Sequence, residues 1–558
     1  MRDYLKIGLL ALLLFFPFLG GVHLFDWDEI NFAECAREML ATGDWFRPQI
    51  DFEPFWEKPP LFIWMQAASM EIFGVGEFAA RLPNAICGLL TLLLVYHLGK
   101  KLFDKCFGWL WALAWVGSLL PHLYFRSGII DPWFNLLIFM GLYGFVRFRW
   151  QFFRLHEIRG FWAKYGWLIG GGWLIGLAVM TKGPVAYLIV VLTIAAYWSR
   201  YKFRGKGYLR HILMMSVAVA SVAAVWFLAE IALHGTWFVR EFLAYQMRLL
   251  TTPDSGHGGF FGYHFVVLLL GCFPASVFAI PNLWGDRQPE DELMESDTLC
   301  SCERCDFTTW MQILFWVVLI LFSLVTTKIV HYSSLAYFPL TYLAALTVWR
   351  AHKFSQCFRS PSFLLPVLGT VIGLAAAALP YLGQNLHLLR PLFERDAFAL
   401  ENLNAQTCWV WWQSVPGVLL AVASVAAGVF WWKKQAWRSA ELIFPAGAMF
   451  TALTLIFFIR NIESITQGAA IEFYESKIGQ DCYVKTVGFK SYAHLFYTRK
   501  QPRTGDPTVD DFPNLSRGTV GKPVFFVAKC TNLADLRDLP GCHEIGRKNG
   551  FVFFERTE

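Results

Sequence analysis

Thirteen stretches of the chain are apolar over nearly the length of a membrane span, and short polar loops separate them. They run over approximately 6–24, 79–99, 106–125, 132–146, 165–181, 184–198, 212–233, 264–284, 310–326, 334–349, 362–380, 409–431 and 440–459. A helix crosses roughly 30 Å of hydrocarbon with about twenty such residues, because it satisfies every backbone polar group within its own segment. The pattern therefore predicts a polytopic α-helical membrane protein.

After about residue 465 the pattern changes. "DCYVKTVGF", "HLFYTR", "KPVFFVAK" and "FVFFER" alternate or run apolar like short strands, with helical stretches near 467–478 and 532–539. This predicts a small C-terminal α/β domain over 463–558, following a membrane domain over 1–462. "KQPRTGDPTVDDFP" inside it has loop composition. No repeat of 20–50 residues is visible.

The loop between the first two apolar stretches, residues 25–78, is long. It opens with "FDWDEINFAECAREML", in which Asp26, Asp28 and Glu29 follow a hydrocarbon-like segment almost at once. Phe32, Ala36, Met39 and Leu40 share one helical face, which predicts a short interfacial helix ending near Gly43 with Asp28 at or beside its N-terminus.

Composition agrees with the pattern. Of 558 residues, 56% are hydrophobic and 16% charged, and mean hydropathy is +0.43, which excludes an ordinary soluble protein. The N-terminal apolar run lacks an A-x-A-like cleavage site and is expected to stay as a first helix. The net charge of +6 is scattered over loops and forms no stripe for nucleic acid. Lys and Arg collect instead in "GKKLFDK", "RFRWQFFRLHEIRGFWAK", "SRYKFRGKGYLR", "RAHKFSQCFR" and "WWKKQAWR", which places these loops and the N-terminus in the cytoplasm. Thirteen spans then put the tail outside.

On that topology, ionisable groups from distant sequence reach one outer edge. Glu57 and Lys58 stand in "FWEKPP", Asp131 opens a segment in "RSGIIDPW", and Lys182 closes one in "MTKGPV". His257 precedes another in "SGHGGFFGYH", while Lys328, His331 and Tyr332 lie in "TTKIVHYSS". Taken singly, each is explained by snorkelling or helix capping, and Asp28 by an N-cap. Lys58, Lys182 and Lys328 together are harder to explain on a face that should be poor in cations. They suit a bound anion, most simply a phosphate at the membrane interface, and would stabilise charge on a leaving phosphate.

With "DEINFAECAREMLATGDWFRPQ", "PFWEKPPLFIWMQA", "RSGIIDPW", "TKGP", "HGGFFGYHFVVLLLGCFP" and "KIVHYSSLAYFPL", the chain resembles the GT-C membrane glycosyltransferases. The nearer likeness is to bacterial 4-amino-4-deoxy-L-arabinose lipid A transferases and the more distant one to protein O-mannosyltransferases. The resemblance implies a GT-C fold in the bacterial inner membrane, with the tail in the periplasm. It also implies inverting transfer of a sugar from a polyprenyl phosphate carrier to a lipid A-like or other glycan acceptor. By motif, Asp28 matches the catalytic carboxylate and Lys58 a lysine on the donor phosphate. Glu57 and His257 match positions that hold a divalent metal such as zinc. The substrate-binding set is read as Glu29, Phe55, Asp131, Lys182, Lys328, His331 and Tyr332. One departure stands out: Asn31 occupies a position where these transferases usually carry Arg, so either Lys182 or Lys328 supplies the missing cation or the acceptor differs.

Two further readings accompany this one. A transporter or flippase of a lipid-linked anion would also use outer-face lysines, although transporters usually bind near the midplane on broken helices. The other makes the membrane part an anchor for the tail, which a single span would accomplish. A monomer is expected. Among twelve cysteines, "CSCERC" places Cys300, Cys302 and Cys305 in an acidic inner loop without a fourth zinc ligand at knuckle spacing, so reduced thiols are expected. Cys482, Cys530 and Cys542 in the tail suggest one disulfide with one cysteine left over.

Overall fold

The computed structural model describes residues 1–154, 160–200, 208–252, 258–284, 300–356, 358–502, 511–518 and 520–557. Twelve of the thirteen apolar stretches coincide with a helix or a bent pair of helices, and the first does so only in part. Among the described residues, six helices are long and apolar enough to cross a membrane, or up to eight if each bent pair is one span. The bent pairs are Lys105–Val116 with Leu119–Arg126, at 82°, and Tyr263–Gly271 with Ala275–Asn282, at 109°. Pro274, which has no N–H to continue the ladder, sits at the second break.

The first stretch is a correction. Helix α1 spans only Arg2–Phe15, about 21 Å at 1.5 Å per residue, too short to cross alone. Pro17 and the left-handed Phe18 stop it, and residues 16–27 instead form turns that lead into the outer layer.

Small residues let the membrane helices approach closely. A Cβ on Gly417 of Val415–Trp432 would lie 2.4 Å from the carbonyl oxygen of Gly373 in Ser360–Gln384, so the two backbones touch where no side chain fits. One continuous core runs from Ile7 to Phe450.

The outer loop folds into three pieces: α2 (Asp28–Thr42), a hairpin of β1 (Gln49–Ile50) with β2 (Glu53–Pro54), and α3 (Leu61–Phe73). Left-handed Gly43 ends α2 and returns its N–H to Met39 O, as the sequence indicates. Unlike an interfacial helix, α2 is buried on both faces from Glu29 to Met39, because the tail covers its polar side. There Arg37 pairs with Glu34 and donates to Lys500 O at 2.7 Å.

The tail carries a four-stranded sheet of order β3-β4-β6-β5, with β3 (Tyr483–Val487), β4 (Val524–Lys529), β5 (Cys542–Lys548) and β6 (Phe551–Arg556). Only β3 and β4 run parallel. "HLFYTR", expected as a strand, is the short helix Ala493–Thr498, and β5 was not anticipated from its mostly polar sequence. Helix Ala436–Thr466 runs without interruption into the tail, and Leu24 N donates to Tyr497 Oη at 2.7 Å, tying the layers together.

The expected disulfide is absent: Cys482, Cys530 and Cys542 are all free thiols. Cys482 and Cys542 lie at one end of the sheet with β4 and β6 between their strands, roughly 14 Å at the usual strand spacing, and Cys530 follows the opposite end of β4. In "CSCERC", the chain is already helical from Cys300, and Cys305 is half-buried.

Candidate active site

Two of the acids after α1, Glu29 and Asp28, have separate surroundings. Glu29 points inward, where Arg81 donates Nε to Oε1 at 2.9 Å and Nη2 to Oε2 at 2.8 Å, and Phe25 N adds 3.0 Å. Arg81 also donates to the carbonyls of Leu19, Val22 and His23. Burial alone would raise Glu29, but Arg81 holds it below the ordinary carboxylate range. The pair is thus the strut that fixes the turn before α2, and both residues also line the larger of the two cavities beside Asp28. Glu29→Ala should cost about 3–5 kcal/mol by leaving the guanidinium buried and unpaired, read as a lower melting temperature of the purified protein.

Asp28, the first residue of α2, is thereby presented outward. Its Oδ2 lies 3.5 Å from His331 Nε2, and that nitrogen lies 3.8 Å from Asp131 Oδ2. Asp131 Oδ1 accepts from Lys182 Nζ at 2.6 Å, and this ammonium stands 5.0 Å from the Tyr332 ring centroid. Four chain segments therefore form a row in which the His331 ring stands between two carboxylates and Lys182 closes the far end. His331 is held by its own turn: Ser334 Oγ donates to the His331 carbonyl and accepts from Asn135 Nδ2. Burial lowers the His331 pKa, with Asp131 opposing it.

Across from this row stands Lys58. Asp28, Phe55, Glu57, Lys58, Lys182, His331 and Tyr332 line one cavity of about 140 Å³. Lys182 is paired, whereas Lys58 has no ion pair among the described residues and rests 5.1 Å from the Tyr245 ring centroid. Burial lowers its pKa; Glu57 and Asp28 pull the other way, and Lys182 adds to the lowering. An ammonium that forms no ion pair among the described residues and faces a cavity is an arrangement that an anionic group completes.

Asp28 also borders a second cavity of about 490 Å³, shared with Trp27, Ile329 and His331 and continued by Leu19, Leu123, Leu455 and Ile459. The carboxylate thus stands where a small polar pocket meets a larger apolar one.

The arm bearing Phe55 and Lys58 is positioned by the hairpin behind it. Asp51 and Phe52 both have φ of 60°, which side-chain-bearing residues disfavour. Glu38 holds them there, accepting from both N–H groups at 2.8 Å, and Lys485 and Lys500 of the tail pair with the Asp51 carboxylate. Burial and the neighbouring Glu34 push Glu38 up to about 9. Between the ordinary value of 4.5 and about 9 the folded protein retains a proton that the unfolded chain has lost, so this site makes stability fall as pH rises through that window. Glu38→Gln should remove that slope, seen as a flatter profile of melting temperature between pH 5 and about 9.

Other expected residues lie elsewhere. Lys328 Nζ donates to the carbonyls of Phe322, Ser323 and Val325 at 3.0, 2.7 and 2.6 Å, capping the end of Cys300–Leu324. It does not line the polar cavity, which corrects its assignment to substrate. His257 lies outside the described residues. Glu57 has Lys490 Nζ at 4.0 Å and Lys58 beside it, and no group of three His, Cys, Asp or Glu among the described residues is arranged to hold a metal.

Several residues of the cavity were not foreseen. Tyr245 and Arg248 come from the amphipathic helix Trp237–Thr251, and Lys490 from the tail. The helix has a recognisable apolar face, but no motif marks which end of it meets the cavity. Asn31 lines the same cavity as Arg248, so the cation missing at position 31 has a candidate replacement in Arg248, where Lys182 and Lys328 had been expected.

Comparison with known proteins gives a consistent result. The family described as dolichyl-phosphate-mannose-protein mannosyltransferase matches residues 57–226. The undecaprenyl phosphate-alpha-4-amino-4-deoxy-L-arabinose arabinosyl transferase of Pectobacterium carotovorum is 26% identical over 426 residues, 75% of this chain and 71% of that protein. Its counterpart from Erwinia tasmaniensis is 24% identical over 76% of this chain and 72% of its own. The crystal structure of ArnT from Cupriavidus metallidurans bound to undecaprenyl phosphate aligns over 99% of this chain and 98% of that one, with a TM-score of 0.75 at 18% identity. The apo ArnT structure aligns with a TM-score of 0.74. The chain is a multi-pass membrane protein with the ArnT fold over nearly its whole length, and its sequence resembles the arabinosyl transferases over about three quarters of it.

Proposed function

We propose that the chain is an inverting GT-C glycosyltransferase that moves a sugar, 4-amino-4-deoxy-L-arabinose by its likeness to the arabinosyl transferases, from undecaprenyl phosphate to a lipid A-like acceptor. The reaction takes place on the outer face of the bacterial inner membrane, with the N-terminus in the cytoplasm and the tail in the periplasm. The observation that carries this reading is Lys58, an ammonium without an ion pair among the described residues, set opposite the Asp28 carboxylate in one cavity.

The donor's phosphate lies against Lys58, with Arg248 as a second cation, and its prenyl chain runs into the lipid. The acceptor enters through the apolar cavity, so that Asp28 meets its nucleophilic oxygen between the two. An acceptor hydroxyl gives its proton to Asp28 as it attacks the anomeric carbon, while an acceptor phosphate, already ionised, is oriented by Asp28 through the His331 bridge. In either case the anomeric carbon–oxygen bond to the carrier breaks with its electron pair going to the carrier phosphate. Lys58 stabilises the charge that develops there. Asp131 and Lys182 keep His331 and Tyr332 in place.

Transport of a lipid-linked anion is less favoured, because the ionisable groups sit at helix ends: Asp131 begins its helix and Lys182 ends its own. Mass spectrometry of lipids from cells with the intact gene, without it, and with Asp28→Asn or Lys58→Ala is the deciding experiment. One added pentose-sized mass present only with the intact gene supports transfer. Unchanged glycolipids with altered lipid sidedness would overturn it.

A further inference from the structure

A third cavity, of about 640 Å³, lies entirely in the tail along the edge strand β3. Lys477, Lys485, Arg499, Lys500 and Lys522 line it, with Asp481 the one acid among the described lining residues. These cations come from three separate stretches of sequence, 477–485, 499–500 and 522, so the concentration of charge is produced by folding and has no counterpart in any local basic run. Solvent-facing lysines normally spread apart, since like charges repel at close range. Here each is held by its own neighbour: Lys477 Nζ stands 3.7 Å from the Phe525 ring centroid, and Lys522 pairs with Asp481. The Arg499 guanidinium is exposed and has no partner among the described residues.

The cleft is connected to the catalytic arm. Lys485 and Lys500 face the cleft and also hold Asp51, in the hairpin turn that leads to Phe55 and Lys58. An anion in the cleft shares these two lysines with Asp51.

We propose that this cleft is a phosphomonoester-binding site, separate from the catalytic cavity, which captures a phosphorylated sugar headgroup and communicates its presence to the Lys58 arm through Asp51. Several lysines and an arginine in a concave site match a dianion with three acceptor oxygens. That the headgroup belongs to the acceptor lipid rests on the transferase reading; that the cleft binds a phosphomonoester does not.

The test uses the full chain in nanodiscs of neutral lipid and reads the acylation rate of individual lysines by mass spectrometry. Inorganic phosphate, or phosphatidic acid doped into the disc, should slow acylation of Lys477 and Lys522 severalfold, while phosphatidylglycerol, a diester, should not. Protection by phosphatidic acid alone identifies a membrane headgroup as the source. Protection by inorganic phosphate identifies a soluble one. Protection by neither probe, or equal protection by the diester, overturns the proposal. In a transfer assay, Lys477→Ala with Lys522→Ala should raise the acceptor KM about tenfold and leave the donor KM and kcat unchanged, as loss of charge-assisted contacts predicts. Unchanged acceptor KM with normal transfer rejects the acceptor role alone. Neither lysine lines the catalytic cavity, and Lys522→Arg should restore what Lys522→Ala removes.

Discussion

Asp28→Asn should lower the transfer rate by about 10²–10⁴-fold, the usual contribution of a positioned acid–base group, with the protein still folded in the membrane. The substitution is nearly isosteric, and the Glu29–Arg81 strut that sets the start of α2 is untouched, so the loss will report on charge and proton affinity. The neutral amide neither accepts a proton nor balances His331 at 3.5 Å. The measurement is single-turnover transfer with purified protein and lipid-linked donor. Retention of more than about a tenth of the wild-type rate would show that Asp28 is not the reacting carboxylate.

Lys58→Ala is expected to have the next largest effect, a loss of about 10²–10³-fold in kcat, the scale for removing one preorganised stabiliser of developing charge. Donor binding should weaken as well, since the same ammonium meets the phosphate before and after the bond breaks. Lys58→Arg should recover only part, because a planar fork fits the point-charge position poorly. Burial lowers the Lys58 pKa, so the grip on the anion is complete below that value and is lost as pH rises through it. Activity should accordingly fall on the alkaline side before a free lysine, at 10.5, would titrate. Lys182→Ala removes a neighbouring positive charge and should move that limb to higher pH. A limb that does not move in Lys182→Ala would assign it to another group.

The two variants also distinguish the parts of the site. Asp28 is placed by a buried ion pair within the membrane half, whereas Lys58 hangs on a hairpin whose turn is held by Glu38 and by two lysines of the tail. Changes in the tail should therefore affect Lys58-dependent steps more than Asp28-dependent ones. This explains physically why a soluble domain accompanies a membrane-embedded catalyst.

The membrane helices were legible in the sequence because hydrocarbon admits few alternatives: a long apolar run must satisfy its backbone internally, so composition alone locates it. The α2 helix with its Gly43 stop, and three of the four tail strands, followed from equally local signals. So did the gathering of Asp28, Lys58, Asp131, Lys182, His331 and Tyr332 at one edge, since each stands at or near the end of an apolar run. Folding alone decided which of these charges were already matched. Lys328 and Lys58 look alike in sequence, yet one is saturated by three carbonyls and the other faces a cavity. Asp28 and Glu29 are adjacent, yet successive helical positions point about 100° apart, so one carboxylate meets Arg81 and its neighbour the substrate space. Arg248, Lys490 and the basic cleft of the tail were beyond sequence reading for the same reason: electrostatic partnership depends on distances of a few ångströms between segments far apart in the chain, and those distances exist only once it has packed.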